Sequence, residues 1–429
     1  MLYERWLQIA RSYPREMALR DLTSNRQWTF QELERATDTP SGESGGMAFP
    51  TGLSAEFVFS VLKAWRAKQI VCPVEADQRA PEIKPGLPSD IVHLKMTSGT
   101  TATPRFVAFT ASQLAADAEN IVATMGLRPD WPNLSVISLA HSYGFSNLIL
   151  PLLLHGIPLV LAGAPLPEIV LRAAATQVDI TLAAVPALWR TWHDAAAIPR
   201  NVRLAISAGA PLPVSLEQSI FAAGGLKVHN FYGSSECGGI AYDASPNARL
   251  DDSCVGAPMQ NVNLTVGESS CLEVRSHAVG QTYWPEPSPA LNRGVFRTND
   301  LAQISNGLVY FRGRAGDQIN VAGRKVSPES IEKVLVSHPG VRECVIFGVP
   351  SSDAQRGDTI VACVSANTTV SGEALKQFLL AQLPAWQVPR EWWLVESLFA
   401  SSRGKLSRAE WRKRYLERPG SAGVPPARC

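Results

Sequence analysis

Short apolar runs alternate with helical patterns over the first half of the chain, and this alternation limits the fold more than any other feature of the sequence. The runs are rich in β-branched residues and have the length of buried strands: 91–95, 134–139, 158–161, 180–184, 204–207 and 227–231. Amphipathic or alanine-rich stretches lie between them: 111–124, 168–176 and 216–223. Strands separated by helices favour parallel sheets with helices on their faces. We therefore expect an α/β fold with a large N-terminal domain of helix-covered sheets.

The pattern changes after Asp251, where strand signals become short and closely spaced. Signals at 262–266, 272–276 and 308–312 are typical of a small barrel-like subdomain. Strands and helices then alternate again, at 326–335, 344–349, 359–365, 373–382 and 392–395. These elements predict a small α+β C-terminal domain of about a hundred residues, a common domain size. We expect domains at 1–313 and 314–418, a loose segment at 38–50, and a disordered tail at 419–429 that is rich in Gly, Pro, Ser and Ala.

The charge balance excludes several classes of partner. Forty Lys and Arg residues stand against thirty-eight Asp and Glu, a net charge of +2. No global electrostatic field therefore favours nucleic acid or an anionic membrane. The apolar stretch at 148–166 is interrupted by His, Gly and Pro, so it predicts a buried helix and a buried strand rather than a membrane span. The first residues resemble no secretory signal, and we expect a cytoplasmic protein.

The cysteines carry no recognisable pattern. They are Cys72, Cys237, Cys254, Cys271, Cys344, Cys363 and Cys429. Their number is odd, and they show no CxxC or Cys/His spacing of the kind found in zinc sites. We expect reduced and mostly buried thiols.

A cluster of small and hydroxyl-bearing residues follows the apolar run at 91–96. Thr97, Ser98, Thr100 and Thr101 surround Gly99. Small residues let backbone N–H groups approach phosphate oxygens, and hydroxyl groups add further donors. Ordinary turns have the same composition. By itself the cluster predicts either a phosphate-binding loop or a plain connection.

Four further segments follow this loop in a fixed order. They are Asn-Phe-Tyr-Gly-Ser-Ser-Glu at 230–236, Arg-Thr-Asn-Asp-Leu at 297–301, Gly-Arg-Ala-Gly-Asp-Gln-Ile-Asn-Val-Ala-Gly-Arg-Lys-Val at 313–326 and Ser-Arg-Gly-Lys-Leu-Ser-Arg at 402–408. Each string is weak alone. Together the five resemble the adenylate-forming superfamily of acyl-CoA synthetases, peptide-synthetase adenylation domains and luciferases. The resemblance covers nearly the whole chain and implies that the small C-terminal domain is mobile.

The resemblance implies a two-step reaction. A carboxylate attacks the α-phosphate of ATP, giving an acyl-adenylate and pyrophosphate, and a thiol then displaces AMP. Bringing two anions together requires positioning, Mg²⁺ and cationic donors. The expected cofactors are therefore ATP, Mg²⁺ and either CoA or the phosphopantetheine of a carrier protein. The expected partners are a small carboxylic acid and, as an alternative thiol donor, an acyl carrier protein.

The resemblance also implies which residues bind ATP. The phosphates of the triphosphate tail would be held by Thr97, Ser98, Gly99, Thr100, Thr101 and Arg105. The adenine and the α-phosphate would be contacted by Ala208, Gly209, Ala210, Pro211, Asn230, Phe231, Tyr232, Gly233, Ser234 and Ser235. Asp300 would accept the ribose hydroxyls with the help of Arg314. Glu236 would be the Mg²⁺ ligand, since carboxylate oxygens suit that cation.

Plain alternatives exist for three of the implied roles. Glu236 alone would be a helix-start residue that favours the helix dipole. Asp300 alone would be a solvated turn residue, and Lys405 a solvated surface lysine. In the context of the family, Lys405 would reach the phosphates from the small domain in the adenylating step. We expect Lys405, His141 and Glu236 to be the catalytic residues.

His141 lies in Ala-His-Ser-Tyr-Gly-Phe, just after the strand predicted at 134–139. A histidine beside an apolar run is more often a hydrogen-bonded core residue. In acyl-CoA and aryl-CoA ligases, however, a His-x-x-Gly stretch at this place flanks the acyl pocket. That pocket would be lined by Tyr143, Gly144, Val185, Gly239 and Ile240.

The pocket composition favours an acyl or aryl acid over an amino acid. Small residues at 233, 234, 238 and 239 would leave room, and Val185 and Ile240 are apolar. The ammonium group of an amino acid would require a buried acid. Asp243 is the weak candidate for such an acid.

The chain departs from the family pattern at three positions. Arg105 stands where lysine is usual and Ala102 where glycine is usual. Arginine keeps the charge and adds a planar fork. Gly316 stands where the hinge normally carries Asp or Lys, which frees the backbone. Ala322 and Gly323 would line the thiol tunnel. The short segment before the loop leaves both a monomer and a homodimer open.

The function predicted from the sequence is that of an ATP-dependent acid–thiol ligase. One alternative stops at the acyl-adenylate or uses it for another displacement, such as β-lactone-type ring closure. Another is a non-catalytic acyl-binding or nucleotide-binding homologue, which Arg105 and Gly316 alone support. The sequence does not name the acid or separate CoA from a carrier protein.

Overall fold

The protein's structure is a computed structural model that describes residues 1–38, 45–97, 105–267, 269–351, 357–367, 370–398 and 407–418. Contacts divide the chain into two units. The N-terminal unit comprises Met1–Thr265, Glu273–Thr298 and Ile304–Val309, and the C-terminal unit comprises Val266–Leu272, Asn299–Gln303 and Tyr310–Cys429. The short strands expected to form a barrel-like subdomain are thus shared between the two units. The exact domain boundary at 313/314 stays a prediction.

The helices and strands have the following bounds. The helices are Leu2–Ser12, Phe30–Ala36, Ala55–Arg66, Ala111–Met125, Ser142–Gly144, Leu150–His155, Pro167–Ala174, Pro186–Asp194, Val214–Gly224, Pro328–Val336, Gly372–Leu380 and Arg408–Leu416, with a π-helix at Phe145–Ile149 and 3₁₀ turns at Ala315–Asp317 and Ala385–Gln387. The strands are Met17–Asp21, Arg26–Thr29, Met47–Ala48, Ile70–Val71, Ile91–Thr97, Arg105–Thr110, Asn133–Ser135, Leu159–Leu161, Ile180–Ala184, Val202–Ser207, Val228–Ser234, Gly238–Tyr242, Cys254–Pro258, Asn263–Val266, Cys271–Arg275, Thr282–Trp284, Leu291–Asn292, Val295–Ser305, Leu308–Arg314, Ile319–Val321, Arg324–Val326, Val341–Pro350, Asp358–Ala366 and Glu391–Val395.

A large sheet in the N-terminal unit has a parallel centre. Its neighbouring strands follow the order Gly238–Tyr242, Val228–Ser234, Val202–Ser207, Ile180–Ala184, Asn133–Ser135, Leu159–Leu161, Met17–Asp21 and Arg26–Thr29. The pairs between Val228–Ser234 and Met17–Asp21 are parallel, and the outermost pair at each end of this order is antiparallel. All five residues of Ile180–Ala184 are buried, which is why this strand reads as a continuous apolar run. The predicted helix-covered parallel sheet is confirmed.

A second sheet of the N-terminal unit contains Thr97 and Arg105, the two residues that flank the hydroxyl-rich loop. We call this pair the neck of the loop. The strand order of the sheet is Thr282–Trp284, Arg105–Thr110, Ile91–Thr97, Ile70–Val71 and Met47–Ala48. The strands Ile91–Thr97 and Arg105–Thr110 are antiparallel, with Thr97 opposite Arg105. Residues 98–104 therefore connect the two strands of a hairpin and themselves lie outside the described residues.

The helix Ala111–Met125 follows this hairpin and shows clear start and stop signals. Thr110 and Gln113 form a reciprocal capping box, and Gly126 ends the helix in the left-handed conformation. The helix buries Leu114, Ala118 and Ile121, as its amphipathic pattern predicts.

The C-terminal unit is built on a three-stranded sheet. Val341–Pro350 is antiparallel to Asp358–Ala366, which is parallel to Glu391–Val395. Successive residues of Val341–Pro350 point to opposite faces, as in any strand. Ile346 belongs to one core with Ile331 and Leu375, whereas Phe347 belongs to a second core with Trp411. The predicted α+β unit is confirmed.

The elements that the sequence predicted are present, with shifted ends. The run at 134–139 contributes only the strand Asn133–Ser135. The helix predicted from residue 326 starts at Pro328, because residues 324–326 form a hairpin strand and proline suits the first helical position. The stretch at 148–166 contains a buried helix and a buried strand, as expected.

The thiols and the apolar segments also agree with expectation. Cys72, Cys237, Cys344 and Cys363 are free and buried, whereas Cys429 lies outside the described residues. No helix in the described part of the chain is both long and apolar enough to cross a membrane. Of the segment expected to be loose at 38–50, residues 47–48 form a strand and 39–44 lie outside the description. The expected disordered tail, 419–429, lies outside it too.

Candidate functional site

Most residues assigned to ATP lie at the carboxyl edge of the large sheet. Ala208 directly follows Val202–Ser207, and Ser207 pairs with Asn230 of the parallel neighbour. The Ala208 N–H donates to the Ala184 carbonyl at 3.2 Å. Gly209 is left-handed, and a Cβ there would lie 3.4 Å from Val185. Ligands of open α/β sheets bind at this edge. The structure thus brings 208–211, 230–236 and Val185 together.

The turn Ser142–Gly144 reaches the same edge. The Ser142 hydroxyl donates to Ser235 Oγ at 3.0 Å, and the Tyr143 hydroxyl donates to the Ile206 carbonyl at 3.3 Å. Burial raises the pKa of Tyr143 well above its usual value, so this hydroxyl keeps its proton. The Tyr143 ring centroid lies 5.9 Å from that of Phe231, one of the residues predicted to contact the nucleotide.

His141 lies beside a carboxylate that sequence reasoning missed. Its Nε2 is 3.6 Å from Glu75 Oε1, and the Ser138 hydroxyl is 2.9 Å from each Glu75 oxygen. The two side chains are 35% and 23% exposed. At this distance the contact is electrostatic rather than a hydrogen bond. No motif points to Glu75, because it reaches His141 from a distant part of the chain.

The glycines next to Glu236 do not leave room for a substrate. A Cβ on Gly238 would lie 1.9 Å from Asp117 Oδ1, and one on Gly239 would lie 2.2 Å from Met259 Sδ. A Cβ on Gly144 would lie 2.0 Å from the Ser138 carbonyl oxygen. Ile240 is fully buried. The expectation that 238 and 239 are small to open a pocket is therefore wrong: protein atoms already fill that space.

A buried polar cluster holds the glycines behind Glu236 in place. The Lys95 ammonium lies 3.1 Å from Ser146 Oγ and 3.4 Å from Asp117 Oδ2, and Ser146 donates to Asp117 at 2.6 Å. The second oxygen of Asp117 accepts from the Gly239 N–H at 3.3 Å. A buried charge of this kind is costly to leave unpaired, so the cluster fixes the backbone after Glu236. The sequence signal was weak, a single lysine within an apolar strand.

Arg105 and Glu236 meet at the ring of Tyr283, another residue that the sequence did not single out. The Arg105 guanidinium lies 3.6 Å from the ring centroid, and the Tyr283 hydroxyl donates to Glu236 Oε1 at 3.1 Å. Thr97 Oγ1 donates to the Arg105 carbonyl at 3.0 Å and closes the neck of the hairpin. A cation and a carboxylate are thus held on one ring, at the start of the strand Arg105–Thr110. Of the hydroxyl-rich loop, Ser98, Gly99, Thr100, Thr101 and Ala102 lie outside the described residues.

Glu236 suits a magnesium ion that is also bound by phosphate. In the described part of the chain, no group of three or more His, Cys, Asp or Glu side chains could hold a metal. Magnesium in nucleotide enzymes is bound through one or two carboxylates together with substrate phosphates and water. Glu236 is half-buried, and Tyr283 bonds its Oε1. The donor set therefore fits a metal that arrives with a triphosphate.

In the C-terminal unit, the predicted ribose pair is present. The Arg314 Nε–H donates to Asp300 Oδ1 at 2.9 Å, and Asp300 is largely buried. Gly316 lies in the 3₁₀ turn Ala315–Asp317, where a Cβ would meet open space. Ala322 and Gly323 both have positive φ and form the tight turn between Ile319–Val321 and Arg324–Val326. Lys405 lies outside the described residues.

Comparisons with known proteins show the family of the chain. A family model described as AMP-binding enzyme matches residues 57–288, more than half of the chain, and a model of the AMP-binding enzyme C-terminal domain matches 330–405. The chain is an AMP-binding enzyme. The first match contains the hairpin neck, the 208–211 segment and Glu236, and the second contains Lys405. The family resemblance inferred from the sequence is thereby confirmed.

Curated relatives of this AMP-binding enzyme include CoA ligases. It is 28% identical over 425 residues to the anthranilate–CoA ligase of Pseudomonas aeruginosa, which covers 93% of this chain and 80% of that protein. It is 26% identical over 362 residues to a feruloyl-CoA synthase of an Amycolatopsis species, covering 79% and 73%. The solved structure of ATP-bound MatB from Rhodopseudomonas palustris matches with a TM-score of 0.86 at 18% identity, covering 97% and 99%. That last likeness shows the shared fold.

Proposed function

We propose that this AMP-binding enzyme is an acid–CoA ligase, which converts a carboxylic acid to an acyl-adenylate and then to an acyl-CoA. The observation that carries the proposal is the placement of Arg105 and Glu236 on one tyrosine ring at the neck of a hydroxyl-rich loop. A triphosphate that carries a metal needs a planar cationic donor and a hard oxygen ligand together. The curated relatives named as CoA ligases support the choice of CoA as the thiol.

The chemistry divides between bonding to phosphorus and bonding to the acyl carbon. An oxygen of the acid attacks the α-phosphorus of ATP, and the bond from that phosphorus to pyrophosphate breaks. The CoA thiolate then attacks the acyl carbon, and AMP leaves with the electron pair of the broken C–O bond. When bound at Glu236, magnesium would offset phosphate charge. The cationic donors of the protein for the first step are Arg105 and Lys405.

Residues at the edge of the large sheet position the adenine and the α-phosphate of the nucleotide, and the Asp300–Arg314 pair positions its ribose. Asn230, Tyr232 and Ser235 bind the adenine and the α-phosphate, with Ser142 fixing the Ser235 hydroxyl at 3.0 Å. Asp300 accepts the ribose hydroxyls, and its bond with Arg314 sets the orientation of the carboxylate. A side chain held by a second residue loses less entropy when the nucleotide binds.

The acid is an acyl or aryl carboxylic acid. Asp243, the candidate partner for the ammonium of an amino acid, instead binds the Lys227 ammonium at 2.5 Å and accepts from the Ser245 N–H at 3.1 Å. Tyr143 and Val185 provide an aromatic and an aliphatic surface at the carboxyl edge of the sheet. Gly144, Gly239 and Ile240 support this surface from behind, since backbone or side-chain atoms pack directly against them.

A panel of carboxylic acids sorted by chain length and aromaticity tests the proposal. Pyrophosphate release is measured with and without CoA, and products are identified by mass spectrometry. We expect acid-dependent release and an acyl-CoA product only when CoA is present. Pyrophosphate release without thioester would show that the enzyme stops at the adenylate or passes it to another acceptor. ATP binding without release for every acid would contradict catalysis altogether.

Two matched variants locate the chemistry. Glu236→Gln keeps the size of the side chain and removes the charge, so the activity should fall about a hundredfold, the range seen when one electrostatic contact to the reacting phosphate is lost. Glu119→Gln removes an exposed carboxylate from the helix Ala111–Met125 of the same unit and should leave the rate unchanged. Equal rates for the two variants would remove Glu236 from the site.

A further inference from the structure

We propose that Tyr283 is a positioning residue that holds the Arg105 guanidinium and the Glu236 carboxylate in the arrangement that receives a metal-bound triphosphate. The inference rests on the proposed function, because it assigns how that same site is assembled. It adds a residue for which no sequence motif was recognised. Three observations carry it: strand register, the two contacts of the ring, and the state of Arg105.

Strand register places Tyr283 and Arg105 side by side. Thr282–Trp284 is antiparallel to Arg105–Thr110, with Tyr283 opposite Val107. Arg105 lies two residues from Val107 on the same strand, so Arg105 and Tyr283 are diagonal neighbours on one face of the sheet. Diagonal pairs of this kind are within reach of long and aromatic side chains. The stack is thus a product of the sheet, which makes it rigid.

The hydroxyl of the same ring orients the carboxylate. Tyr283 donates to Glu236 Oε1 at 3.1 Å, and the Gly280 N–H donates to the Glu236 carbonyl at 2.8 Å. The segment 280–283 therefore binds Glu236 at its side chain and at its backbone. Tyr283 thereby fixes the Oε1 end of the carboxylate.

The contacts of the Arg105 guanidinium explain why an arginine stands where the family usually has lysine. The guanidinium carbon lies over the ring, 3.6 Å from its centroid, and the Nε is buried without a hydrogen-bond partner among the described residues. A planar guanidinium stacks on an aromatic face and keeps its N–H groups in the plane of the fork for an anion. A lysine ammonium has no such plane. The ring of Tyr283 and the arginine are therefore matched to each other.

Tyr283→Phe separates the two contacts, because phenylalanine keeps the stack and loses the hydroxyl. Manganese binding is followed by electron paramagnetic resonance in the presence of an ATP analogue with a methylene bridge between the α- and β-phosphates. The manganese affinity should weaken about tenfold, the cost of one hydrogen bond to a charged group. The rate at saturating magnesium should return to nearly that of the parent enzyme. A general loss of structure would lower the rate at every magnesium concentration.

Arg105→Lys tests the other contact without altering the tyrosine. The affinity for the ATP analogue should fall about fivefold, since the stack and the planar fork are lost while the charge stays. The control is Tyr310→Phe, which alters a tyrosine lying 5.6 Å from a different arginine, Arg312, in the C-terminal unit. It should leave manganese and nucleotide binding unchanged, and melting temperatures check that each variant is folded.

The outcomes distinguish this inference from the proposed function. If the parent enzyme binds the analogue and releases pyrophosphate, but Tyr283→Phe binds manganese as tightly as the parent, the positioning role is overturned while the ligase function stands. If the parent enzyme neither binds the analogue nor releases pyrophosphate with any acid, the proposed function fails first. Weakened manganese binding with full rescue by added magnesium supports the role of Tyr283.

Discussion

Two arginines border the loops to which the sequence assigns phosphate contacts, one in each unit, and they are held in opposite ways. Arg105 follows residues 98–104 and stacks on Tyr283, with an Nε that has no partner among the described residues. Arg408 follows residues 399–406 and is surrounded by acceptors. Its Nη1 lies 2.6 Å from Asp317 and 3.0 Å from Glu329, and its Nη2 lies 3.0 Å from Glu332.

The difference teaches how to tell a binding arginine from an anchoring one. A guanidinium has five N–H donors, and a ligand can use only those that the protein leaves. Arg408 gives Nε–H to the Ile346 carbonyl at 2.8 Å and its other groups to three carboxylates, so it anchors the helix Arg408–Leu416 and the turn Ala315–Asp317. Arg105 is positioned by a ring that accepts no conventional hydrogen bond. We therefore assign ligand binding to Arg105 and stability to Arg408.

The largest expected effect is on the segment before Arg408. Lys405→Ala should lower acid-dependent pyrophosphate release by about a thousandfold, because one cationic contact to the reacting phosphate is lost. Thioester formation from a supplied acyl-adenylate should change little, since the role proposed for the lysine is confined to the first step. The measurement is a comparison of the two half-reactions.

Lys413→Ala is the matched control for this variant. Lys413 is 74% exposed on the helix Arg408–Leu416 and pairs only loosely with Glu417, at 3.8 Å. Its removal should leave both half-reactions unchanged. Activity that persists in Lys405→Ala would mean that the C-terminal unit contributes no cation and that the comparison of the two loops is mistaken.

Arg408→Ala should reduce the free energy of unfolding of the C-terminal unit by about 3 kcal/mol, because three carboxylates lose their shared partner. Urea denaturation followed by tryptophan fluorescence measures the loss, since Trp411 packs in the second core of this unit. Arg412→Ala, which removes a single bond from Arg412 Nε to the Gly348 carbonyl, should cost less than 1 kcal/mol. Equal costs would show that Arg408 is no anchor.

The loss in the free energy of unfolding caused by Arg408→Ala should also depend on pH. Burial raises the pKa of Glu332 above its usual value even though Arg408 opposes this. A group with a raised folded pKa binds a proton that the unfolded chain has already lost, so its stability contribution is present at low pH and is lost as pH rises through the folded pKa. Without Arg408 the pKa rises further. The variant should therefore be closest to the parent near pH 4 and weakest above neutrality.

Arg105→Ala should weaken nucleotide binding and leave stability nearly unchanged, the reverse of what we expect for Arg408→Ala. The affinity for ATP should fall about tenfold, the loss expected for one charge-assisted contact, while the unfolding free energy changes by less than about 1 kcal/mol. Isothermal titration calorimetry and urea denaturation give the two quantities. A large loss of stability with intact nucleotide binding would exchange the roles that we assign to the two arginines.

Gly316→Asp should have the smallest effect. The glycine φ is not in the left-handed region and a Cβ would meet open space, so the substitution should change stability by less than about 0.5 kcal/mol. It introduces the acidic side chain that the family resemblance implies for the proposed hinge. We expect a change of about twofold in the ratio of thioester formation to adenylation, because one glycine rotor is removed. A larger drop in adenylation would place Gly316 in the first step.

The sequence predicted the buried central strands of the fold better than it predicted strand ends and short strands. The run at 180–184 matches its strand fully because both faces of that strand are covered, which makes the apolar run continuous. The run predicted at 134–139 was too long: Val136, Ile137 and Leu139 are buried, but the strand ends at Ser135. The strands Arg105–Thr110 and Thr282–Trp284 were not recognised, since they are only six and three residues long.

The residues of the candidate site also fall into two groups, those that local motifs point to and those that only the fold brings together. Glu236, Asp300 and Arg314 stand in local strings that the family shares, so the sequence points to them directly. Glu75, Lys95, Asp117 and Tyr283 each reach the site from a distant part of the chain. A local sequence pattern cannot reveal such a contact, because side-chain neighbours across a sheet are set by strand register and not by sequence spacing.

The sequence by itself determined the family, the alternation of strands and helices, and the loops that would handle a nucleotide. It could do so because apolar periodicity and short motifs are local properties of a chain. Only the tertiary structure decided that Gly238 and Gly239 are filled by packing, that Asp243 is already paired with Lys227, and that Arg105 and Glu236 share one ring. Those facts depend on distances between segments that are remote in sequence, and folding alone brings those segments together.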